Sequence, residues 1–291
     1  LKRFFPRSSM VSPGLLMPPL ECPLDEWMGK LPSEVRTTRS LSELALPGSH
    51  NSGARTVQCI PQFALEQYVG KAFASSTFVE RLARLFAHAP AVCQSLTVQE
   101  LLAAGIRVVD LRVGLHEGEV HVCHTVVCET TLRAALTEVA EFLRAKSTEV
   151  VGVLIKRDWE HRDFDARENW ETVQSCIREV LGDLVVTDPA GLALPISELC
   201  QRGQRAAVLV ELPAGLELSV GLAMTAETVE KSWRPDVQTV EDMLRVLAEW
   251  RDSGRMLPEP GRMKFLEVAL PGGPRSSAPA ALLAFRGFLQ G

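Results

Sequence analysis

The sequence has little excess charge and no closely paired cysteines. Its 31 basic and 36 acidic residues give a formal net charge of -5. The chain therefore lacks the excess of basic residues that is typical of nucleic-acid binding, and we predict no nucleic-acid partner. The seven cysteines are odd in number and contain no CxxC pair. A chain of this size needs no disulfide staples, and the pattern favours a reducing, cytoplasmic setting.

Long apolar runs are missing as well. No stretch approaches the roughly 18 consecutive apolar residues of a membrane span. Pro13, Pro18 and Pro19 interrupt the apolar patch near the start, which makes a poor signal-peptide core. Any membrane contact is therefore expected to be peripheral.

Several sequence motifs of known chemistry are absent. The chain contains no GxSxG, HExxH, P-loop or EF-hand pattern, and no glycine-rich dinucleotide loop follows a predicted strand. We therefore predict no cofactor. The catalytic residues have to be sought among residues that lie far apart in the sequence.

What the chain does have is a repeated alternation of short apolar runs with amphipathic stretches, which is typical of an α/β fold. The pattern predicts a single-domain, distorted TIM-type (β/α) barrel, with a doubly wound sheet as the alternative. The best-marked helices begin after the possible capping box of Thr97 and Glu100, at Leu132 and near Val240. The predicted strands are Leu41–Leu46, Arg107–Val113, Glu119–Cys123, Val150–Ile155, Ala206–Leu212 and Lys264–Ala269.

The predicted domain organisation is an N-terminal extension over residues 1–24 and a barrel over residues 25–291, with an insertion at about 55–95. The insertion is apolar enough to form either a helix packed on the barrel or a surface that faces a membrane. The residues that would form such a surface are Phe73, Phe78, Leu82, Leu85 and Phe86.

Polar residues occur where three predicted strands end. LPGSHNSG carries His50 and Asn51, RVVDLRVG carries Asp110 and Arg112, and HVCHTVVC carries His124. Period-two alternation places Asp110 and Arg112 on one face of their strand. An ion pair with hydrogen-bonded histidines would be the structural explanation. The functional one is phosphoryl chemistry, with a base, an acid and a cation for the phosphate.

These motifs, in this order, resemble the X domain of phosphatidylinositol-specific phospholipase C, over roughly residues 25–275. The chain most resembles the compact single-domain X-domain proteins and the bacterial enzymes. The resemblance implies a phosphodiesterase that cleaves phosphatidylinositol or a related inositol phospholipid to diacylglycerol and a cyclic inositol phosphate. It assigns His50 as general base, His124 as general acid, Arg112 as the phosphate ligand and Asp110 as the group that orients the arginine.

The resemblance also implies a substrate pocket. Lys156 would contact inositol hydroxyls or phosphate, and Glu211 and Trp233 are further candidates for the sugar pocket. Asn51 stands where bacterial members carry Asp, and Thr125 stands where Gly usually follows the second histidine. No acidic residue clearly matches the late carboxylate that holds the base histidine in bacterial members, although Glu267 is a candidate.

Calcium-dependent relatives use acidic residues where this chain has Arg112 and Lys156. We therefore predict a metal-independent reaction, because two fixed cations would repel calcium. We also predict that the protein is a monomer. Two alternatives remain: a catalytically weak phosphoinositide-binding pseudoenzyme, and a metal-dependent glycerophosphodiesterase.

Other histidines and tryptophans receive structural interpretations. His121 and His124 should point apart, which disfavours zinc. We expect solvated surface positions for His88, His116 and His161, and packing roles for Trp159 and Trp170.

Overall fold

A computed structural model describes residues 23–69, 77, 78, 81, 92–233, 240–255, 257 and 259–267. Most of the predicted N-terminal extension and much of the predicted insertion lie outside these residues. The same holds for His88, for the last two residues of the predicted strand Lys264–Ala269, and for everything after it.

A mixed central sheet forms the framework of the fold. Eight strands belong to it, in the order β2-β5-β4-β3-β6-β7-β8, with β1 paired to β3, and β9 pairs with β10 in a separate sheet. The central pairs β1–β3, β3–β6, β6–β7 and β7–β8 are all parallel. The strands are β1 Gly48–Ser49, β2 Val57–Cys59, β3 Val108–His116, β4 Glu119–His124, β5 Val126–Thr131, β6 Val151–Arg157, β7 Ala206–Val210, β8 Leu222–Ala223, β9 Val229–Trp233 and β10 Met263–Glu267.

The helices follow the predicted amphipathic stretches. The α-helices of the described part are α1 Ser33–Thr38, α2 Gln62–Val69, α3 Val98–Ala103, α4 Leu132–Ala145, α5 Arg167–Leu181, α6 Ile196–Arg202 and α7 Val240–Asp252. The capping box is confirmed, since the Thr97 hydroxyl accepts from the Glu100 N–H at 3.0 Å and the Glu100 carboxylate accepts from the Thr97 N–H at 2.7 Å. None of the helices in the described ranges is long and apolar enough to cross a membrane.

Two hydrophobic cores cover the two faces of the sheet. Val109 and Leu111 of β3 belong to the core that packs against α4 and α5, whereas Val108 and Leu154 belong to the core shared with Trp27 and the N-terminal segment. Alternate residues of a strand point to opposite faces. Even-numbered positions of β3 and β6 therefore face the second core, which corresponds to the barrel interior.

The first predicted strand is wrong. Leu41–Glu43 is a short 3-10 helix, because Ser40 and Glu43 form a capping box in which the Ser40 N–H donates to the Glu43 carboxylate at 2.9 Å. The parallel strand begins only at Gly48. Pro47, which we expected to end a strand, instead accepts hydrogen bonds from the N–H groups of Arg107 and Val108 at 2.9 and 3.2 Å.

The sequence also missed strands β2, β5, β8 and β9. Each is short or continues directly from a turn, so alternation had little length in which to appear. The fold class itself is confirmed as α/β of the distorted TIM type. Within the described residues, the outer strands β2 and β8 of the sheet are not paired with each other.

Candidate active site

The parallel pairing of β1 with β3 brings the first histidine to the aspartate. Ser49 lies opposite Val109 in the ladder, so the next residue of each strand, His50 and Asp110, come side by side. Ser52 fixes this arrangement, because its N–H donates to the Asp110 carbonyl at 2.7 Å and its hydroxyl accepts from the Asp110 N–H at 3.2 Å.

The register of the next strands extends the row of polar groups. Arg112 of β3 lies opposite Lys156 of β6. Glu211 follows β7 directly, and its N–H donates to the Ile155 carbonyl at 2.9 Å, next to Lys156. His50, Lys156 and Glu211 stand at the carboxyl ends of β1, β6 and β7, where TIM-type barrels carry their active sites. Asp110 and Arg112 lie within the longer strand β3, beside them in the ladder.

Asp110 is the centre of this cluster. Its carboxylate lies 3.1 Å from His50 Nδ1, 2.9 Å from Lys156 Nζ and 3.9 Å from Arg112 Nε. Burial alone would raise the Asp110 pKa, but the hydrogen bond with His50 and the charges of Lys156 and Arg112 outweigh it and hold the pKa well below its usual range. Asp110 is therefore an anion at any pH near neutrality.

The Asp110 carboxylate also determines the tautomer of His50. An ionised carboxylate only accepts hydrogen bonds, so Nδ1 of His50 is the nitrogen that carries hydrogen. The other ring nitrogen, Nε2, then has a lone pair available to take up a proton. The imidazole keeps 39% of its side-chain surface exposed, so a substrate can reach it.

The second histidine ends β4 on a tight turn. The next residue, Thr125, has φ +62°, and its N–H points at both carboxylate oxygens of Asp158 at 3.3 Å. Asn51, directly after His50, is also left-handed with φ +48°. A non-glycine residue in this region costs about 1–2 kcal/mol, and such strain concentrates at functional sites. The threonine therefore keeps the left-handed turn that a glycine would adopt without strain.

A cysteine that we did not predict contacts the second histidine. Cys93 Sγ lies 3.2 Å from His124 Nδ1, and the Asn51 amide donates to the same sulfur at 3.5 Å. Burial would raise the pKa of the Cys93 thiol, but its hydrogen bonds with His124 and Asn51 and the charges of His124 and Arg112 lower it. Nothing in the sequence around Cys93 indicated this contact.

A cavity of about 750 Å³ opens beside these groups. Four predicted site residues lie in its wall. It is lined by Arg112, His124, Thr125, Lys156, Arg157, Asp158, Trp159, Asp165, Trp170, Glu211, Leu212 and Pro213. The wall therefore offers cations for a phosphate together with carboxylates and indole rings for a polar ring.

Comparison with known proteins agrees with this fold. A family model described as PI-PLC X 1 matches residues 68–180. The human PI-PLC X domain-containing protein 1 is 29% identical over 244 residues, which cover 79% of this chain and 69% of that protein. The resemblance seen in the sequence is confirmed.

The fold is also similar to that of bacterial phosphatidylinositol-specific phospholipases C. The enzyme from Listeria monocytogenes superposes with a TM-score of 0.55 at 16% identity, covering 92% of this chain and 88% of that one. A Staphylococcus aureus enzyme, described in work on the modulation of its membrane binding, gives a TM-score of 0.55 at 14% identity over 89% of this chain and 82% of that one.

The two histidines of the site are held by side chains from other parts of the chain. Asn51 is fully buried, and its side chain contacts Cys93. The carboxylate beside His50 is Asp110, on a neighbouring strand. Trp233 ends β9 in the separate two-stranded sheet, and Glu267 pairs with it in the ladder. The side chains of Trp233 and Glu267 lie outside the described residues, so their predicted roles stay predictions.

Three of the structural interpretations were wrong. Trp159 is 66% exposed and stands in the cavity wall, where we expected packing. His161, expected at the surface, is buried against Phe63 with ring centroids 5.1 Å apart, because Gly114 has no Cβ to exclude the imidazole. His116 is half-buried at the end of β3.

Two other interpretations are confirmed. Trp170 is buried and packs edge-on against Phe164 with ring centroids 5.3 Å apart. His121 is turned away from His124, since its Nδ1 lies 2.9 Å from the Cys128 carbonyl. Within the described ranges, no group of three or more His, Cys, Asp or Glu side chains is arranged to hold a metal ion.

Proposed function

We propose that this chain is a phosphodiesterase that cleaves phosphatidylinositol or a related inositol phospholipid to diacylglycerol and a cyclic inositol phosphate. The observation that carries the proposal is the pairing of His50 with Asp110 beside Arg112, at the carboxyl ends of parallel strands. The fold similarity supports the broader class of phosphoinositide phospholipase C-like proteins. The catalytic assignments below are ours.

His50 is the general base in this proposal. Its Nε2 takes the proton of the inositol 2-hydroxyl while the oxygen attacks phosphorus. Asp110, 3.1 Å from Nδ1, keeps the ring in the required tautomer and stabilises the imidazolium that forms.

Arg112 stabilises the negative charge on the phosphate. Its Nε has no hydrogen-bond partner among the residues that the structure describes, and the Arg112 side chain as a whole is 24% exposed. An arginine can donate two parallel hydrogen bonds to a phosphate, so it supplies fixed charge where the reaction increases it. Lys156 extends the positive surface into the cavity.

His124 is the general acid. It lies in the cavity wall, and its Nδ1 is occupied by Cys93. Its Nε2 is then the atom that donates a proton to the departing diacylglycerol oxygen. Glu211 lines the same cavity, where it is placed to accept hydrogen bonds from inositol hydroxyls.

The reaction needs no resident metal or cofactor in this proposal, because Arg112 and Lys156 supply the positive charge. We further propose a single catalytic domain over residues 25–291 that acts as a monomer and touches the membrane peripherally. The start of the predicted insertion supports this last point. Phe63 of α2 packs on His161, close to the cavity residue Trp159, and Phe78 is 68% exposed.

The test is incubation of the purified chain with vesicles containing radiolabelled phosphatidylinositol, followed by chromatography of the water-soluble products. We expect cyclic inositol phosphate to form in the presence of EDTA. Binding to the vesicles without any product would instead support the pseudoenzyme. Chelator-sensitive hydrolysis of glycerophosphoinositol would support the glycerophosphodiesterase.

A further inference from the structure

The segment of Cys93 and Gln94 is hydrogen-bonded to the loop that carries His50. The backbone N–H groups of Cys93 and Gln94 donate to the Ala54 carbonyl at 2.8 and 3.1 Å. The Gln94 side chain donates to the His50 carbonyl at 2.8 Å, and the Cys93 side chain contacts His124. The position of the sulfur is therefore determined by the same loop that carries the base histidine.

The contacts of the sulfur identify it as an acceptor. An amide NH₂ group only donates, so the Asn51 amide at 3.5 Å uses a lone pair of Cys93 Sγ. A protonated His124 ring also only donates, through Nδ1–H, at 3.2 Å. Asn51 and a protonated His124 thus both favour the electron-rich form of the sulfur when His124 carries the proton that a general acid needs.

We propose that Cys93 is a positioning residue for His124, accepting the hydrogen bond from Nδ1–H so that Nε2 presents its proton to the cavity. The chain has Asn51 and no carboxylate at the position after the first histidine, and the Asn51 amide instead donates to the sulfur that contacts His124. The inference rests on the proposed role of His124 as general acid. It adds that the acid is held by a thiol, and is therefore sensitive to thiol chemistry.

The other cysteines provide the contrast. Burial raises the pKa of the Cys128 thiol to about 12 and also raises the pKa of Cys176 and Cys200. The pKa of the Cys93 thiol is instead lowered, by its hydrogen bonds with His124 and Asn51. Cys200 is half-buried like Cys93 and lies in the other core, which makes it a matched internal control.

The first test needs no turnover. The full chain is treated with iodoacetamide at a series of pH values, and the modification rate is measured at the Cys93 and Cys200 peptides by mass spectrometry. An unperturbed thiol is half ionised at about pH 8.5. We expect the midpoint for Cys93 to lie below that value and to move up by about one pH unit in His124→Gln, while the Cys200 profile stays fixed. An unmoved Cys93 midpoint would overturn the proposal.

The second test uses turnover on phosphatidylinositol vesicles. Cys93→Ala should lower kcat about tenfold with little change in KM, and should shift the alkaline limb of the pH profile to lower pH. Cys93→Asp should restore both, because a carboxylate also accepts from Nδ1–H. Cys200→Ala should behave as the wild type. Equal kcat and pH profiles for wild type and Cys93→Ala would contradict the proposal.

The two tests separate the two claims. A wild-type chain without any turnover would contradict the proposed function, yet the alkylation profile would still decide whether Cys93 and His124 are coupled. Misfolding of His124→Gln would show as faster modification of the buried Cys128. In that case His124→Phe, which keeps an aromatic ring without nitrogen, is used in place of His124→Gln. The expected alkylation midpoint of Cys93 is the same.

Discussion

Two ionic clusters involve β3, one at its start around Arg107 and one further along the strand around Asp110, and they differ in how many of their polar atoms have hydrogen-bond partners. At the start, Arg107 and Glu149 are both fully buried, with Arg107 Nε and Nη2 at 2.9 and 2.7 Å from one carboxylate oxygen. The remaining guanidinium hydrogens go to the carbonyls of Leu102, Ile106 and Leu24. Glu149 also accepts from the backbone N–H groups of Met28 and Gly29.

Further along β3, the cluster around Asp110 is left open. Arg112 stands 3.9 Å from the carboxylate, and His50 is 39% exposed. The first cluster leaves nothing for a ligand to bind and ties the N-terminal segment to the barrel. In the second, Arg112 and Lys156 line the cavity and Arg112 Nε has no hydrogen-bond partner among the described residues, so its charge is available to a substrate. A buried cluster in which every polar atom has a hydrogen-bond partner indicates a structural role. A cluster that leaves polar atoms without partners indicates a binding site.

The largest expected effect comes from removing a proton-transfer group at the open cluster around Asp110. His50→Ala and His124→Ala should each lower turnover by about a hundredfold to ten-thousandfold and leave the thermal midpoint close to that of the wild type. Turnover on phosphatidylinositol vesicles and calorimetry measure the two quantities. Near-normal activity in either variant would remove that histidine from the mechanism.

The fully hydrogen-bonded cluster of Arg107 and Glu149 should show the opposite effect, a loss of stability without a loss of activity. Glu149→Gln leaves the buried Arg107 without its counter-charge, and we expect a loss of about 3–5 kcal/mol in the free energy of unfolding. The kcat of the folded fraction should be nearly unchanged. Glu129→Gln, at an exposed position, is the matched control and should change stability by no more than about 0.5 kcal/mol. A lower kcat without lower stability would contradict the structural assignment.

Asp110 should affect both stability and activity. Because its pKa is depressed in the folded state, its stabilising contribution is complete above the unfolded pKa of about 3.9 and is lost as pH falls through the folded value. Asp110→Asn should therefore be less stable by about 1–3 kcal/mol at neutral pH, with the difference shrinking below about pH 4.

Urea denaturation of the wild type and of Asp110→Asn at several pH values measures the difference in their free energies of unfolding. A difference that stayed constant down to pH 2 would show that the charge of Asp110 is not its cause. At neutral pH the variant should also lose turnover, because an amide can present its NH₂ group to His50 and select the other tautomer.

A smaller effect is expected for the proposed membrane surface. Phe78→Ser should lower activity on vesicles severalfold while activity on a soluble headgroup substrate stays the same, because Phe78 is 68% exposed and has little core packing to lose. Leu257→Ser, also at an exposed apolar position, is the control and should change neither. Equal losses on both substrates, with lower thermal stability, would favour core packing. Phe86 belongs to the same prediction but lies outside the described residues.

No effect is expected from chelators. EDTA and EGTA should leave turnover unchanged, since the cations of Arg112 and Lys156 occupy the region in which calcium would have to bind. Activity that chelators abolish and calcium restores would move the open cluster from an arginine-assisted to a metal-assisted mechanism.

The sequence by itself determined the amphipathic helices, most of the longer strands and the polar residues of the site. Helical periodicity located α4 and α7, a capping box located the start of α3, and period-two alternation placed Asp110 and Arg112 on one face. These features are local, because they depend on neighbours within about one or two turns of chain. The short strands had too few residues for such a signal, and Leu41–Leu46 was overridden by a capping box.

Only the tertiary structure decided which groups meet. His50 reaches Asp110 through the register of two strands, Cys93 reaches His124 across 31 residues, and Thr125 reaches Asp158 across 33. None of these contacts has a sequence period, because each depends on how loops from different strands converge at one end of the barrel. The exposed Trp159 and the buried His161 follow from the same convergence. The residue types for the chemistry were visible in the sequence, whereas their partners depend on sheet register and loop packing.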